Sequence, residues 1–140
     1  MKNIYTKNNT LTKESKIRCN YFRKKILAIS QTVPALHIGG AFSSIEIIDV
    51  VYNILKNKKD KFILSKGHAG ILLYVVLNYL KIITNTQLKN YCKKKGSLGV
   101  HPDYKTPGVE ASTGSLGHGL SIAAGLAYPD KKKTLYVLMS

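Results

Sequence analysis

All four histidines of this 140-residue chain sit beside glycine, proline or both: His37 in "HIGG", His68 in "KGHAG", His101 in "GVHPD" and His118 in "LGHG". An imidazole changes charge near neutral pH and can donate, accept or transfer a proton. Taken singly, each reads first as an ordinary loop residue with a satisfied side chain. Four with the same surroundings point to a common site. Zinc fits them poorly. No two have the helix-face spacing of an HExxH motif, and Cys19 and Cys92 lie far from all of them in sequence.

Phosphate binding is the better physical match. "FILSKGHAG" reads as strand, tight glycine turn and helix, which leaves free N–H groups at a helix start with Lys66 and His68 beside them. "STGSLGHG" repeats the device, with no side chain at Gly114 or Gly117 to hold a ligand away. It lacks the preceding strand that a dinucleotide fingerprint requires. Two such openings, each with a histidine, suggest a cofactor that carries phosphate. Asp103 and Glu110, in the loop between them, would bind substrate hydroxyls or cap turns.

The elements that must hold these residues follow from periodicity. From Lys13 to Val33, Ile17, Tyr21, Ile26, Ile29 and Val33 recur at helical spacing until Pro34. Residues 1–12 read as a flexible N-terminus. Ser43 and Glu46 form a capping-box pattern opening a second helix, with Ile47, Ile48, Val51, Ile54 and Leu55 as its buried stripe. "FIL" (62–64) reads as a buried strand, and a third helix runs through "ILLYVVLNYL". Thr84 and Gln87 make another capping box, opening a helix that Gly96 closes. From Gly96 to about Thr113 no pattern holds; Pro102 and Pro107 make this a shaped loop rather than a slack one. A small-residue helix (Ser115–Ala127) and a final strand, "TLYVLM", complete a single α/β domain with helices around a short parallel sheet.

Composition narrows the partners. Twenty-two Lys and Arg against seven Asp and Glu give a net charge of +15, which raises a polyanion such as nucleic acid. Arg18 and Arg23 are the only arginines, and the lysine comes with abundant isoleucine and asparagine, all A/T-rich codons. Base readers lean on arginine, so solvated faces plus coding bias account for the charge better, and nucleic acid is not expected. No apolar signal region opens the chain, and its longest apolar run falls short of the roughly 18–20 residues of a membrane span. Two widely separated cysteines fit reduced thiols. A cytoplasmic protein without a membrane partner is expected.

"HIGGAFSSIEIIDVVY", "SKGHAGILLYVVL" and "GVHPDYKTPGVEASTGSLGHGLSIAAGLA" closely resemble the N-terminal, cofactor-diphosphate-binding domain of transketolases, above all small split ones whose N-terminal part is a separate chain. The resemblance covers about Ala28 to the end. It implies a partial thiamine-diphosphate-binding fold, thiamine diphosphate with a divalent metal such as Mg2+, and transfer of a two-carbon ketol unit between sugar phosphates. By motif position His37 and His101 match the family's catalytic, substrate-facing histidines, and His68 its cofactor-contacting one. Gly114, Ser115 and Leu116 match the segment that wraps the cofactor. At His118 the family often has glutamine, and no ligand role is carried over.

The sequence stops one residue after "TLYVLM", where the family places its "GDG…N" metal motif, so no metal ligand is expected from this chain. The domain that binds the cofactor's pyrimidine is likewise not expected from this chain. The resemblance therefore implies a truncated transketolase, inactive alone, that another chain or a homodimer would complete. A non-catalytic remnant and a basic polyanion-binding protein are the alternatives.

Overall fold

The computed structural model describes the backbone of residues 2–34, 36–130 and 132–140, with side chains from residue 9 onward. Helix α1 (Lys2–Ser30) starts far ahead of Lys13 and runs through the stretch expected to be a flexible N-terminus. Its buried face is also rotated from the expected one. Cys19, Phe22 and Ile26 are in the core, whereas Ile17 and Tyr21 are 63% and 37% exposed. The reason is polar. This rotation aims Ser15 and Arg18 at Asp49, a fully buried carboxylate that accepts from Ser15 Oγ (2.6 Å), Arg18 Nε (2.6 Å), Arg18 Nη2 (3.1 Å) and Asn53 Nδ2 (2.9 Å). A buried charge is tolerated only when its lone pairs are occupied, and here they are.

The expected second helix is two pieces, α3 (Ile45–Val50) and a π-helical turn, Val51–Leu55, and a further short helix, α2 (Ile38–Phe42), stands before Ser43 where a loop is expected. Ser43 does not cap. Its hydroxyl donates to Gly40 O (3.1 Å), Ser44 takes the N-cap position of α3, and Glu46 pairs with Arg23. Of the expected stripe only Ile48 and Val51 are buried, joined by Ile45; Ile47, Ile54 and Leu55 are exposed.

Strands β1 (Lys61–Leu64) and β2 (Leu135–Leu138) pair in parallel, from Lys61↔Leu135 to Leu64↔Leu138. Asp60 fixes their start, accepting from the N–H groups of Asn57 (2.8 Å) and Thr134 (2.9 Å). Helix α4 (Gly70–Tyr79) is the centre of the core: every residue from Gly70 to Asn78 is buried, which suits a run apolar on all sides. Helix α5 (Asn85–Lys89) has the expected Thr84–Gln87 capping box. Gly96 does not close it, but returns the chain onto its end. A Cβ at Gly96 would stand 1.9 Å from Asn90 O, so only glycine fits.

Residues 96–113 are irregular, as expected, and α6 (His118–Ala127) begins after Gly117, whose φ of +85° the expected Ser115 start did not foresee. Both cysteines are free; burial pushes the Cys19 thiol up, and Cys92 is exposed.

Candidate functional site

The site forms where the carboxyl end of β1 meets the long loop. Past Leu64, the N–H groups of Ser65 (2.8 Å) and Lys66 (3.3 Å) both donate to Leu138 O, extending the β1–β2 ladder into the bend. The bend is a short 3-10 turn, Gly67–Ala69, that leads into α4. Thr113 Oγ1 donates to Leu64 O (2.6 Å), and Gly119 N donates to Ser65 Oγ (3.2 Å). These two bonds lash the second glycine-rich segment to the first.

The two bends touch. A Cβ at Gly67 would fall 2.8 Å from Thr113 O and 2.9 Å from both Gly114 Cα and Gly114 N, so backbone packs directly on backbone. Glycine is required there by close approach.

Three histidines gather around this junction. The His68 ring lies 5.6 Å from that of His37, centroid to centroid, tilted by 60°. Gly40 of α2 closes over the same ring: a Cβ there would be 2.7 Å from His68 Cδ2 and 2.9 Å from Nε2. His37 takes the N-cap position of α2, so the small residues that follow it let α2 approach His68. On the other side, the His101 ring lies within 3.5–3.8 Å of where a Gly114 Cβ would be. Tyr74 of α4 donates to His101 O (3.0 Å), and Thr113 N donates to Pro102 O (3.2 Å), fixing that loop. Burial holds the His68 imidazole below the usual histidine range, helped by the charges of Lys66, His37 and His101. Such an imidazole works as a neutral donor and acceptor near pH 7.

The other expected residues lie outside the histidine cluster. Ser115 and Leu116 lie beyond Gly114 on the surface, Leu116 being 62% exposed, and His118 is an exposed residue at the start of α6. Of the two loop carboxylates, Asp103 Oδ1 accepts from Lys105 N–H (2.8 Å), a turn cap, and Glu110 pairs with Lys61 (2.6 Å). Asp103 and His101 also border an open cavity of about 400 Å³ lined with Gln87, Ser97 and Lys105. Ser65, Thr113 and Tyr74 were not singled out from sequence. Only their nearness to the glycine bends hinted at them, because their bonds cross 27 to 54 residues of chain. Among the described residues no three His, Cys, Asp or Glu side chains converge as metal ligands, and no helix is long and apolar enough to cross a membrane.

Residues 23–136 match the family described as "Transketolase, thiamine diphosphate binding domain". The chain is 35% identical over 131 residues to one of the subunits of the apulose-4-phosphate transketolase of Phocaeicola vulgatus, covering 84% of this chain and 46% of that protein. It is 36% identical over 131 residues to the Actinobacillus succinogenes protein of the same name, covering 83% of this chain and 48% of the relative. Against transketolase 2 of Escherichia coli it is 37% identical over 106 residues, 68% of this chain and 16% of that one. The chain thus spans about half the length of the two apulose-4-phosphate relatives. With glycine bends packed together at the end of a parallel strand and a match over most of its length, the chain belongs to the thiamine diphosphate binding domain family of transketolases.

Proposed function

We propose that this chain is the diphosphate-side portion of a transketolase-like enzyme, transferring a two-carbon ketol unit between sugar phosphates and inactive until another polypeptide completes it. The observation that carries the reading is the contact of Gly67 with Gly114, ringed by His37, His68 and His101. That cradle suits the diphosphate of thiamine diphosphate. Glycine at positions 67 and 114 keeps side chains off the junction, and Lys66 supplies positive charge that no carboxylate among the described residues pairs with. In this reading His68 donates to the diphosphate, Gly114, Ser115 and Leu116 follow the cofactor, and His37 and His101 hydrogen-bond the substrate hydroxyls where charge develops. When bound, the cofactor supplies the electron sink for the carbon–carbon cleavage. Mg2+ would be held by residues from outside this set. The names of the two apulose-4-phosphate relatives suggest apulose 4-phosphate as one candidate sugar phosphate and a second chain as the completing partner.

Calorimetric titration with thiamine diphosphate and Mg2+, alone and with a complementing transketolase chain, tests this directly. Binding and ketol transfer are expected only in the mixture. Ketol transfer by the single chain, or no cofactor binding in either case, would refute the reading.

A further inference from the structure

Lys66 is 5% exposed, in a protein whose other lysines mostly face water. Burying an ammonium is costly unless the charge does something. It makes no ion pair among the described residues. Its hydrogen bond runs to Ser43 Oγ (3.3 Å), the hydroxyl that itself donates to Gly40 O (3.1 Å). Gly40 is the residue that closes over the His68 ring, and α2 carries His37 at its N-cap. A chain of contacts therefore runs from Lys66 through Ser43 and Gly40 back to His68, one position beyond the glycine that follows Lys66.

We propose that Lys66 is a positioning residue for the histidine pair: its buried ammonium clamps α2 onto the His68 ring through Ser43 and places a positive charge beside that ring. The groups around His68 fit that role. The 3-10 bend contributes Lys66, α2 contributes His37 and Ser43, the long loop contributes His101, and among the described residues no carboxylate acts on the ring. Burial is the first thing that opposes protonation of His68, and the charges there, all positive or potentially positive, oppose it further. A neutral ring keeps one nitrogen as donor and one as acceptor. The clamp and the charge come from one side chain. Its use in catalysis rests on the cofactor reading; its measurement does not.

The test is a pH titration of the His68 and His37 imidazoles by NMR in the full chain without cofactor, in wild type and in the K66M, K66R and S43A variants. In K66M the His68 midpoint is expected to rise toward the ordinary histidine value, and the His37–His68 ring contact to weaken. K66R, which keeps the charge, should hold the midpoint low; a merely structural role would not give that rescue. S43A breaks the tie but keeps the ammonium, so the ring contact should weaken while the midpoint stays low. That variant decides the clamp if K66M does not fold. An unchanged His68 midpoint in K66M, K66R behaving as K66M does, or an intact ring contact in S43A would each overturn the proposal. Cofactor titration fails or succeeds separately, so the two readings are told apart.

Discussion

At the scale of single residues, the site is a set of places where a side chain has been left out. Gly67 is the case at the junction itself, because the atoms a methyl would strike belong to backbone at Thr113 and Gly114 and cannot rotate away. G67A is expected to lower stability by about 1–3 kcal/mol through overpacking and to part the two bends. G125A is the contrast: an added Cβ meets nothing within 4 Å on α6, and helix propensity predicts a gain of about 1 kcal/mol. Urea unfolding of the two variants gives opposite signs if the distinction is right. His68 makes a second prediction. Its folded-state pKa lies below the ordinary 6.5, so the unfolded chain takes up the proton first as the pH falls. The neutral ring's contribution is fully present above 6.5 and is lost as pH drops through the folded value. Unfolding free energies at about pH 8 and about pH 5 should therefore differ more in wild type than in H68Q, which has no titrating ring.

At the scale of elements, α1 is held to α3 by a polar knot rather than by an apolar stripe alone. Asp49 is fully buried and Arg18 nearly so, at 0% and 14% side-chain exposure. Removing one partner strands the other charge. R18M or D49L alone should each cost about 3–5 kcal/mol, and the double variant should cost less than the two singles summed. Denaturant midpoints of the four proteins close that cycle. The same knot explains what the sequence left illegible. Apolar periodicity announced α1 but not its phase, since Arg18 and Asp49 are 31 residues apart and nothing local pairs them. Local chemistry was readable: the Thr84–Gln87 box, both strands, and the glycine turn before α4 are where short-range signals put them. Ser43 and Glu46 carried the same kind of signal. There other partners won: the Ser43 hydroxyl donates three residues back to Gly40 O, Glu46 pairs with the distant Arg23, and α3 starts one residue later behind Ser44. Of the site, the glycine and proline neighbours pointed to a gathering of all four histidines; His37, His68 and His101 lie around the junction, and His118 is exposed at the start of α6. The bonds of Ser65, Thr113 and Tyr74 that hold it needed the fold.

At the scale of the whole molecule, two surface properties pull in opposite directions, and salt separates them. A net charge of +15 makes copies of the chain repel. Against this, Leu116, Leu120, Tyr128 and Met139, on and around α6 and β2, are 62%, 53%, 84% and 43% exposed, and among the described residues the sheet has two strands. An apolar surface beside an open strand edge favours association. Raising ionic strength shortens the screening length from about 10 Å at 0.1 M to about 3 Å at 1 M, which weakens the repulsion and leaves the apolar attraction intact. Polyanion binding has the reverse dependence, because it is driven by counterion release and fades with added salt. Sedimentation of the isolated chain should therefore show self-association that grows with salt, and the L120E variant should remain monomeric at high salt with unchanged circular dichroism. Association that falls as salt rises, or an L120E protein that still associates, would place the interaction on the lysines instead of on α6.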